Sequence, residues 1–265
     1  MVLAVTGGTG TVGRHVVAEL VVAGHAVRVL TRRPPAEGPG EHRAVDLTSG
    51  EGLDEALNGV DIVIDAANRA KGGKGAAAVL VDGTARLLAA ERRADVAHHV
   101  ALSLAGIEKV PHGYWAIKLA QERAVRDGGV PWSIVRATQF HDRLDASFAA
   151  PARAGLLLAP EILLQPVDPR TVARVVAGVA EGEPLRAWEH VAGPEIRRLG
   201  VLARTWREAT GRRVLGVAPP LPRSIARALA RGALIPDGSV TGGPSFGEWL
   251  AEHHPRPVAT AAVAA

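Results

Sequence analysis

Residues 2–13 read VLAVTGGTGTVG, and this stretch decides the fold. A short apolar run, residues 2–5, breaks into glycines at positions 7, 8, 10 and 13. Apolar residues then recur with helical period at Val12, Val16, Val17, Leu20 and Val21. The order is strand, glycine turn, helix. Gly8, Gly10 and Gly13 match G-x-G-x-x-G in the context that a dinucleotide fingerprint requires. The residue type follows from the chemistry: a pyrophosphate must approach bare backbone, so side chains at the turn must be absent. The helix that opens near Thr11 then aims unpaired N–H groups at the anion.

Outward from that turn the first half of the chain alternates. Apolar runs at 2–5, 26–31, 42–45, 60–65, 98–103 and 132–135 predict strands. Helical periodicity covers 12–23, 51–58, 76–94 and 114–127. Gly24, Gly59 and Gly128-Gly129 stand where a helix would stop before the next strand. Runs apolar on both parities, such as Ile62-Val63-Ile64, fit strands buried on both faces. The expectation is an α/β fold, a doubly wound parallel sheet of Rossmann type. Beyond about residue 140, prolines at 151, 160, 166, 169, 184 and 194 break the pattern. Helices are expected there at 169–181, 197–210, 221–231 and 244–253, with short strands near 164–167, 188–191 and 213–217. This reads as a core over residues 1–140 and a smaller α/β substrate lobe over 141–254, interleaved with the core as one unit. Residues 255–265 form a small, apolar, capless tail that is expected to be disordered. Lys71-Gly72-Gly73-Lys74-Gly75 lacks phosphate-loop spacing and reads as a flexible loop.

Composition sets limits. The 265 residues are 47% apolar and only 3% aromatic, so the core must be mostly Ala, Val and Leu. Without cysteine there is no disulfide, thiolate metal site or thiol nucleophile, and no metal is expected. No run reaches the roughly 18 apolar residues of a membrane span. No basic stretch precedes an apolar one at the N-terminus, so no cleaved signal is expected and a cytoplasmic protein is. The net charge is +4, but the arginines lie scattered beside Asp and Glu, as in 120–126. That reads as a solvated surface and not as a nucleic-acid face. The apolar faces of helices 76–94 and 114–127 fit either a dimer face or packing on the sheet, leaving monomer and homodimer both open.

The second strand ends Thr31-Arg32-Arg33, with no carboxylate where a site selective for NAD keeps one. Guanidinium groups there suit a 2′-phosphate, so NADPH is expected over NADH. Tyr114 is the only tyrosine and lies four residues before Lys118. Four lysines in 265 residues make a chance match at that spacing roughly 1.5%. The pair shares one helix face, and a nearby ammonium would lower the phenol's pKa and ready it to protonate a carbonyl oxygen. His112 and His141 are reserve acids.

TGGTGTVG, Asp46-Leu47, Ala66-Ala67 and Tyr114-xxx-Lys118 together resemble the short-chain dehydrogenase/reductase superfamily. The segment YWAIKLAQERAVRDGGVPWSIVRATQFHD is most similar to its atypical NmrA-like branch. The resemblance implies that Gly7, Gly10 and Gly13 hold the pyrophosphate, with Thr9, Thr11 and Val12 in contact with it or the adjacent ribose. It implies that Asp46 and Leu47 flank the adenine, and that Ala66, Ala67 and Asn68 line the middle of the cofactor. It also implies that Lys118 holds the nicotinamide ribose, that Ala137, Thr138, Gln139 and Phe140 lie beside the ring, and that Ser103 is the carbonyl-binding serine. Trp115, Phe140, His141 and Phe148 are candidate substrate walls. The expected function is an NADPH-dependent reductase, passing hydride to a ketone, quinone or conjugated double bond of a small organic substrate, with aromatic or polycyclic compounds fitting such a pocket. A non-catalytic NADP-sensing regulator and a cofactor-retaining isomerase or dehydratase are the alternatives.

Overall fold

The computed structural model describes residues 1–35, 37–69, 73–219 and 222–255. In β1 (Val2–Thr6), Leu3, Ala4 and Val5 are all fully buried. A strand buried on both parities needs helices on both faces of its sheet. The chain supplies them in turn: α1 (Gly13–Val22), β2 (Ala26–Thr31), β3 (Glu41–Ala44), α2 (Leu53–Leu57) and β4 (Ile62–Asp65). α3 (Gly73–Ala77), a wide π turn at Ala78–Asp82 and α4 (Gly83–Arg93) follow as one helical run. Then come β5 (His98–Leu104), α5 (Tyr114–Asp127) and β6 (Trp132–Ala137). Beyond these lie α6 (His141–Ala152), β7 (Leu156–Leu158), β8 (Leu163–Leu164), α7 (Pro169–Glu181) and β9 (Trp188–Ala192). The rest is β10 (Arg197–Arg198), α8 (Leu199–Thr210), β11 (Leu215–Val217), α9 (Arg223–Ala230), β12 (Val240–Thr241) and α10 (Phe246–His253).

Eight strands form one sheet in the order β12-β9-β6-β5-β4-β1-β2-β3, and every neighbouring pair is parallel. The fold is α/β, a doubly wound parallel sheet of Rossmann type. The strand order reverses between β1 and β4, which opens a crevice at the carboxyl ends there. One face of the sheet is covered by α1 and α7, where Val16, Val17 and Leu20 meet Val172, Ala173 and Val176 over Leu3 and Val5. The other face carries Leu53 and Leu57 of α2, Leu87 and Leu88 of α4 and Val125 of α5, packed on Ala4, Val63 and Ile134. The apolar faces of the helices expected at 76–94 and 114–127 thus pack on the sheet. A third cluster, with Phe148, Trp206, Phe246 and Trp249, lies between α6, α8 and α10.

Several elements depart from the sequence expectations. The strand expected near 188–191 joins the central sheet as β9, and β12 extends it further. α6 was not expected, because Pro151 reads as a breaker. The proline stands one residue before the helix ends, so the bond that it cannot donate is lost only from the last turn. The five residues of α3 include Gly73–Gly75 of the expected flexible loop, whereas residues 71–72 lie outside the described residues. Leu221, and residues 256–265 of the expected disordered tail, lie outside them too. α7 begins as its sequence dictates, with Asp168 accepting from the Arg170 N–H at 2.7 Å and Pro169 in the first helical position. No helix among the described residues is long and apolar enough to cross a membrane.

Candidate functional site

The glycine turn between β1 and α1 divides its glycines by task. Gly7 has φ +63°, and a Cβ there would come within 2.6 Å of the Ala66 carbonyl oxygen. A Cβ on Gly13 would come within 2.2 Å of the Gly7 carbonyl oxygen, and one on Gly8 within 2.8 Å of Val29. These three are glycine because the loop packs on itself and its neighbours. Gly10 is exposed, and the nearest atom to a Cβ there is the Gly7 oxygen at 3.1 Å. Its bare backbone lines the crevice. Beside it the N-terminus of α1 has no side-chain cap. Among the described residues, nothing accepts the backbone N–H groups of Thr11, Val12 or Gly13. Orphan donors at a helix start attract an anion, so the turn fits a dinucleotide pyrophosphate.

A cleft of about 560 Å³ runs from this turn along the carboxyl ends of the strands. At the β2 end it is lined by Arg32, Asp46 and Leu47. The Asp46 carboxylate accepts from the Thr48 hydroxyl at 2.6 Å and its N–H at 2.8 Å. Those bonds, and behind them the charge of Arg32, hold it below the usual carboxylate range. Gly7, Thr9, Gly10, Thr11 and Val12 form the middle, with Ala66, Ala67 and Asn68 opposite. Thr138, Gln139 and Phe140 close the β6 end. Gly13 and Ala137 are buried beneath the lining. Arg33 is exposed and outside it, so a single guanidinium, that of Arg32, reaches the β2 end.

The catalytic candidates are arranged otherwise than the spacing suggested. Tyr114, on the first turn of α5, donates its hydroxyl to Asn68 Oδ1 at 2.5 Å, which ties it to a cleft-lining residue. Lys118 turns inward and is only 4% exposed. Its ammonium donates to the Leu102 carbonyl at 2.8 Å and to Gln121 Oε1. Burial lowers the Lys118 pKa to about 8 against the pull of Asp65 and Glu122. The expected lowering of the phenol by that ammonium does not occur: burial raises the Tyr114 pKa, and the opposing influences are Asn68 and Arg143. Ser103 is buried and does not line the cleft, because Leu102 and Leu104 take the lining positions and a strand alternates its side chains.

Three expected substrate walls lie elsewhere. Phe148 is 1% exposed and packs against Trp206 at 5.9 Å between ring centres. His141 is fully buried, its Nε2 against the Pro244 carbonyl at 3.1 Å and its ring against Phe246 and Trp249. Burial pushes its pKa below the ordinary value, and this reserve acid does not line the cleft. Trp115 packs with Val110, Leu229 and Ala233 under α9. His112 is exposed and outside the lining.

The floor beneath the cleft was not anticipated. Asp65, 1% exposed at the end of β4, accepts from Thr6 Oγ1 at 2.6 Å, Thr84 Oγ1 at 3.0 Å and Gln121 Nε2 at 3.0 Å. It also accepts from the Ala67 N–H at 3.2 Å. One carboxylate so joins β1, β4, α4 and α5, and through Gln121 it reaches Lys118. The sequence signal was the acid that ends the apolar run Ile62-Val63-Ile64. Arg69 and Arg143, both exposed and both lining the cleft, carried no such signal.

Residues 7–181 match the family model described as NAD(P)H-binding, and they contain the turn, α7 and all of the cleft lining but Thr6. The chain belongs to the NAD(P)H-binding family. This NAD(P)H-binding protein is 32% identical to the (4-alkanoyl-5-oxo-2,5-dihydrofuran-3-yl)methyl phosphate reductase of Streptomyces griseus subsp. griseus, over 94% of this chain and 96% of that protein. It superposes on a nucleoside-diphosphate-sugar epimerase from Staphylococcus aureus with a TM-score of 0.79 at 17% identity, covering 94% and 99% of the two chains. It superposes equally on the Escherichia coli NADPH-dependent quinone oxidoreductase complexed with NADPH, with a TM-score of 0.78 at 19% identity over 95% and 99%. The NAD(P)H-binding chain is an oxidoreductase, and its likeness to these solved structures is one of fold.

Proposed function

We propose that this oxidoreductase uses NADPH to reduce a conjugated carbonyl compound, ketone or quinone of small size. The observation that carries the reading is one continuous cleft, with Arg32 at its β2 end and Asn68, bonded by the Tyr114 hydroxyl, in its wall beyond β4. The orphan N–H groups of Thr11, Val12 and Gly13 would receive the pyrophosphate, and Gly10 would let it approach. Arg32 would receive the 2′-phosphate through charge-assisted bonds. Thr138, Gln139 and Phe140 would lie along the nicotinamide, and Asp46 and Leu47 along the adenine. The bound coenzyme supplies the hydride.

Tyr114 would then supply the proton. Its raised pKa keeps the phenol protonated at neutral pH, and release of the Asn68 bond would free the hydroxyl to donate. Lys118 acts as a positioning residue, because it fixes the Leu102 carbonyl and Gln121 under the cleft. The name of the Streptomyces relative specifies a dihydrofuran bearing an oxo group, an alkanoyl group and a methyl phosphate. That supports a conjugated carbonyl compound as the substrate here.

The test follows NADPH absorbance over a panel of enones, ketones and quinones, with Tyr114→Phe and Arg32→Ala beside the parent. We expect turnover by the parent and a kcat lower by about 100-fold in Tyr114→Phe. Arg32→Ala should lose about 10- to 100-fold in NADPH affinity while NADH affinity changes less than about twofold. Full activity in Tyr114→Phe removes the phenol from the reaction. Equal loss for both coenzymes removes the 2′-phosphate from Arg32.

A further inference from the structure

Two cations stand in the cleft away from Arg32. Arg69 follows Asn68, the partner of the Tyr114 hydroxyl, in the loop after β4. Arg143 lies in the first turn of α6, and its charge reaches the Tyr114 phenol. Among the described residues neither has an ion pair or a hydrogen bond, whereas Arg43, Arg93, Arg136 and Arg170 are paired with carboxylates. The Arg69 guanidinium lies over Gly75. Gly75 gives its guanidinium room, and a Cβ there would come within 3.0 Å of Nε. Asp142, next to Arg143 in sequence, bonds the Thr11 hydroxyl at 3.0 Å. Asp46, the carboxylate that lines the cleft, lies at the β2 end and is bonded by Thr48.

The sheet order sets the separation. Four strand spacings lie between β2 and β6, on the order of 19 Å. Arg32 and Arg143 therefore serve opposite ends, and one phosphate cannot engage both. Both guanidinium groups are free of protein carboxylates among the described residues, and Arg meets phosphate and carboxylate groups through its planar fork of donors.

We propose that the β4–β6 end of the cleft takes a substrate carrying an oxyanion group, a phosphate monoester or a carboxylate, which Arg69 and Arg143 hold. This rests on the reading above, in which that end is where reduction occurs. Arg69 and Arg143 are then specificity residues: they select an anionic substrate over its neutral analogue and fix its orientation beside Tyr114.

The experiment titrates the NADP⁺-loaded protein by calorimetry with phenyl phosphate, benzoate and benzyl alcohol, in the parent, Arg69→Gln and Arg143→Gln. Both arginines are exposed, so melting temperatures should match the parent's and report an intact fold. We expect phenyl phosphate to bind, each variant to weaken it about 10-fold or more, and the alcohol to give no signal. Benzoate binding with the same sensitivity supports the site and broadens it to carboxylates, and phenyl phosphate alone narrows it to phosphate esters. Unchanged anion affinity in both variants overturns the inference, as does no anion binding by a parent that holds NADP⁺. A matching fall in NADP⁺ affinity would reassign the arginines to the coenzyme and overturn it as well. A parent that binds no NADP⁺ would bring down the coenzyme reading and this inference with it.

Discussion

Gly10 and Gly13 stand three residues apart in one turn, yet substitution should separate them cleanly. A methyl group on Gly13 collides with the Gly7 carbonyl, so Gly13→Ala must shift the turn and should destabilise the fold by roughly 1–3 kcal/mol. Gly10→Ala meets only a 3.1 Å contact that small movements relieve, so its melting temperature should stay within about 2 °C of the parent's. Its coenzyme affinity should fall about 10-fold or more, because the methyl group occupies the path of the pyrophosphate. Thermal melts and NADPH titrations on the two variants check this, and an equal effect on both properties in both variants would contradict it. The residue scale is also where the sequence was least legible. The four-residue spacing of Tyr114 and Lys118 placed both on one helix, but it could not show that a long flexible amine would turn inward to Leu102 and Gln121. Arg69 and Arg143 are two of 27 arginines, 31 basic residues less four lysines, and no local pattern marks them.

At the scale of the element, β5 carries two histidines with opposite responses to acid. His98 is 2% exposed, its Nε2 lies 2.8 Å from Ser133 Oγ, and burial lowers its pKa to about 4. The folded chain therefore refuses a proton that the unfolded chain accepts from about pH 6.5 downward, so stability falls as pH drops. His99 is fully buried too. Burial opposes its charge, but Glu91 at 2.8 Å outweighs this and raises the pKa, so its contribution is present in acid and fades as pH rises. His98→Gln should remove the first response alone. Between pH 7 and 5 the parent should lose about 2 kcal/mol more than the variant in urea unfolding. Superimposable acid limbs would show that His98 is not the cause. Elements with strong local signals were legible: the β1 turn, α5 and α7 lie where periodicity and capping placed them. α6, β10 and β12 were not, since two-residue strands exist only through their partners and Pro151 masks the helix that it nearly ends.

For the whole molecule, the question is whether the cluster around Trp206 melts apart from the sheet. Trp206 is 1% exposed, and its indole N–H donates to Asp145 at 2.6 Å. The chain enters this cluster through α6, returns to the sheet with α7 and β9, leaves again with α8, and returns once more with β12. Arg170 of α7 adds a two-pronged contact to Glu252 of α10 at 2.8 Å. Such interleaving predicts one cooperative transition. Trp206→Ala should cost about 3–5 kcal/mol and move that single transition down intact, whether followed by circular dichroism or by the other tryptophans. Saturating NADPH should raise it again, by about 2.7 kcal/mol at one hundred times the dissociation constant. Two separable transitions would mean that the later cluster is an independent unit.

The same interleaving bears on how the polypeptide is made. A ribosome that has released the first 140 residues has delivered β1 to β6, but not α7, whose Val172, Ala173 and Val176 cover Leu3 and Val5. Until that helix emerges, the nascent chain exposes a greasy surface beside an unmatched strand margin, the kind of transient that chaperones attend. The coenzyme cradle is thus translated first and secured late, and a gene cut after residue 140 would encode every strand bordering the cleft in a form prone to clump.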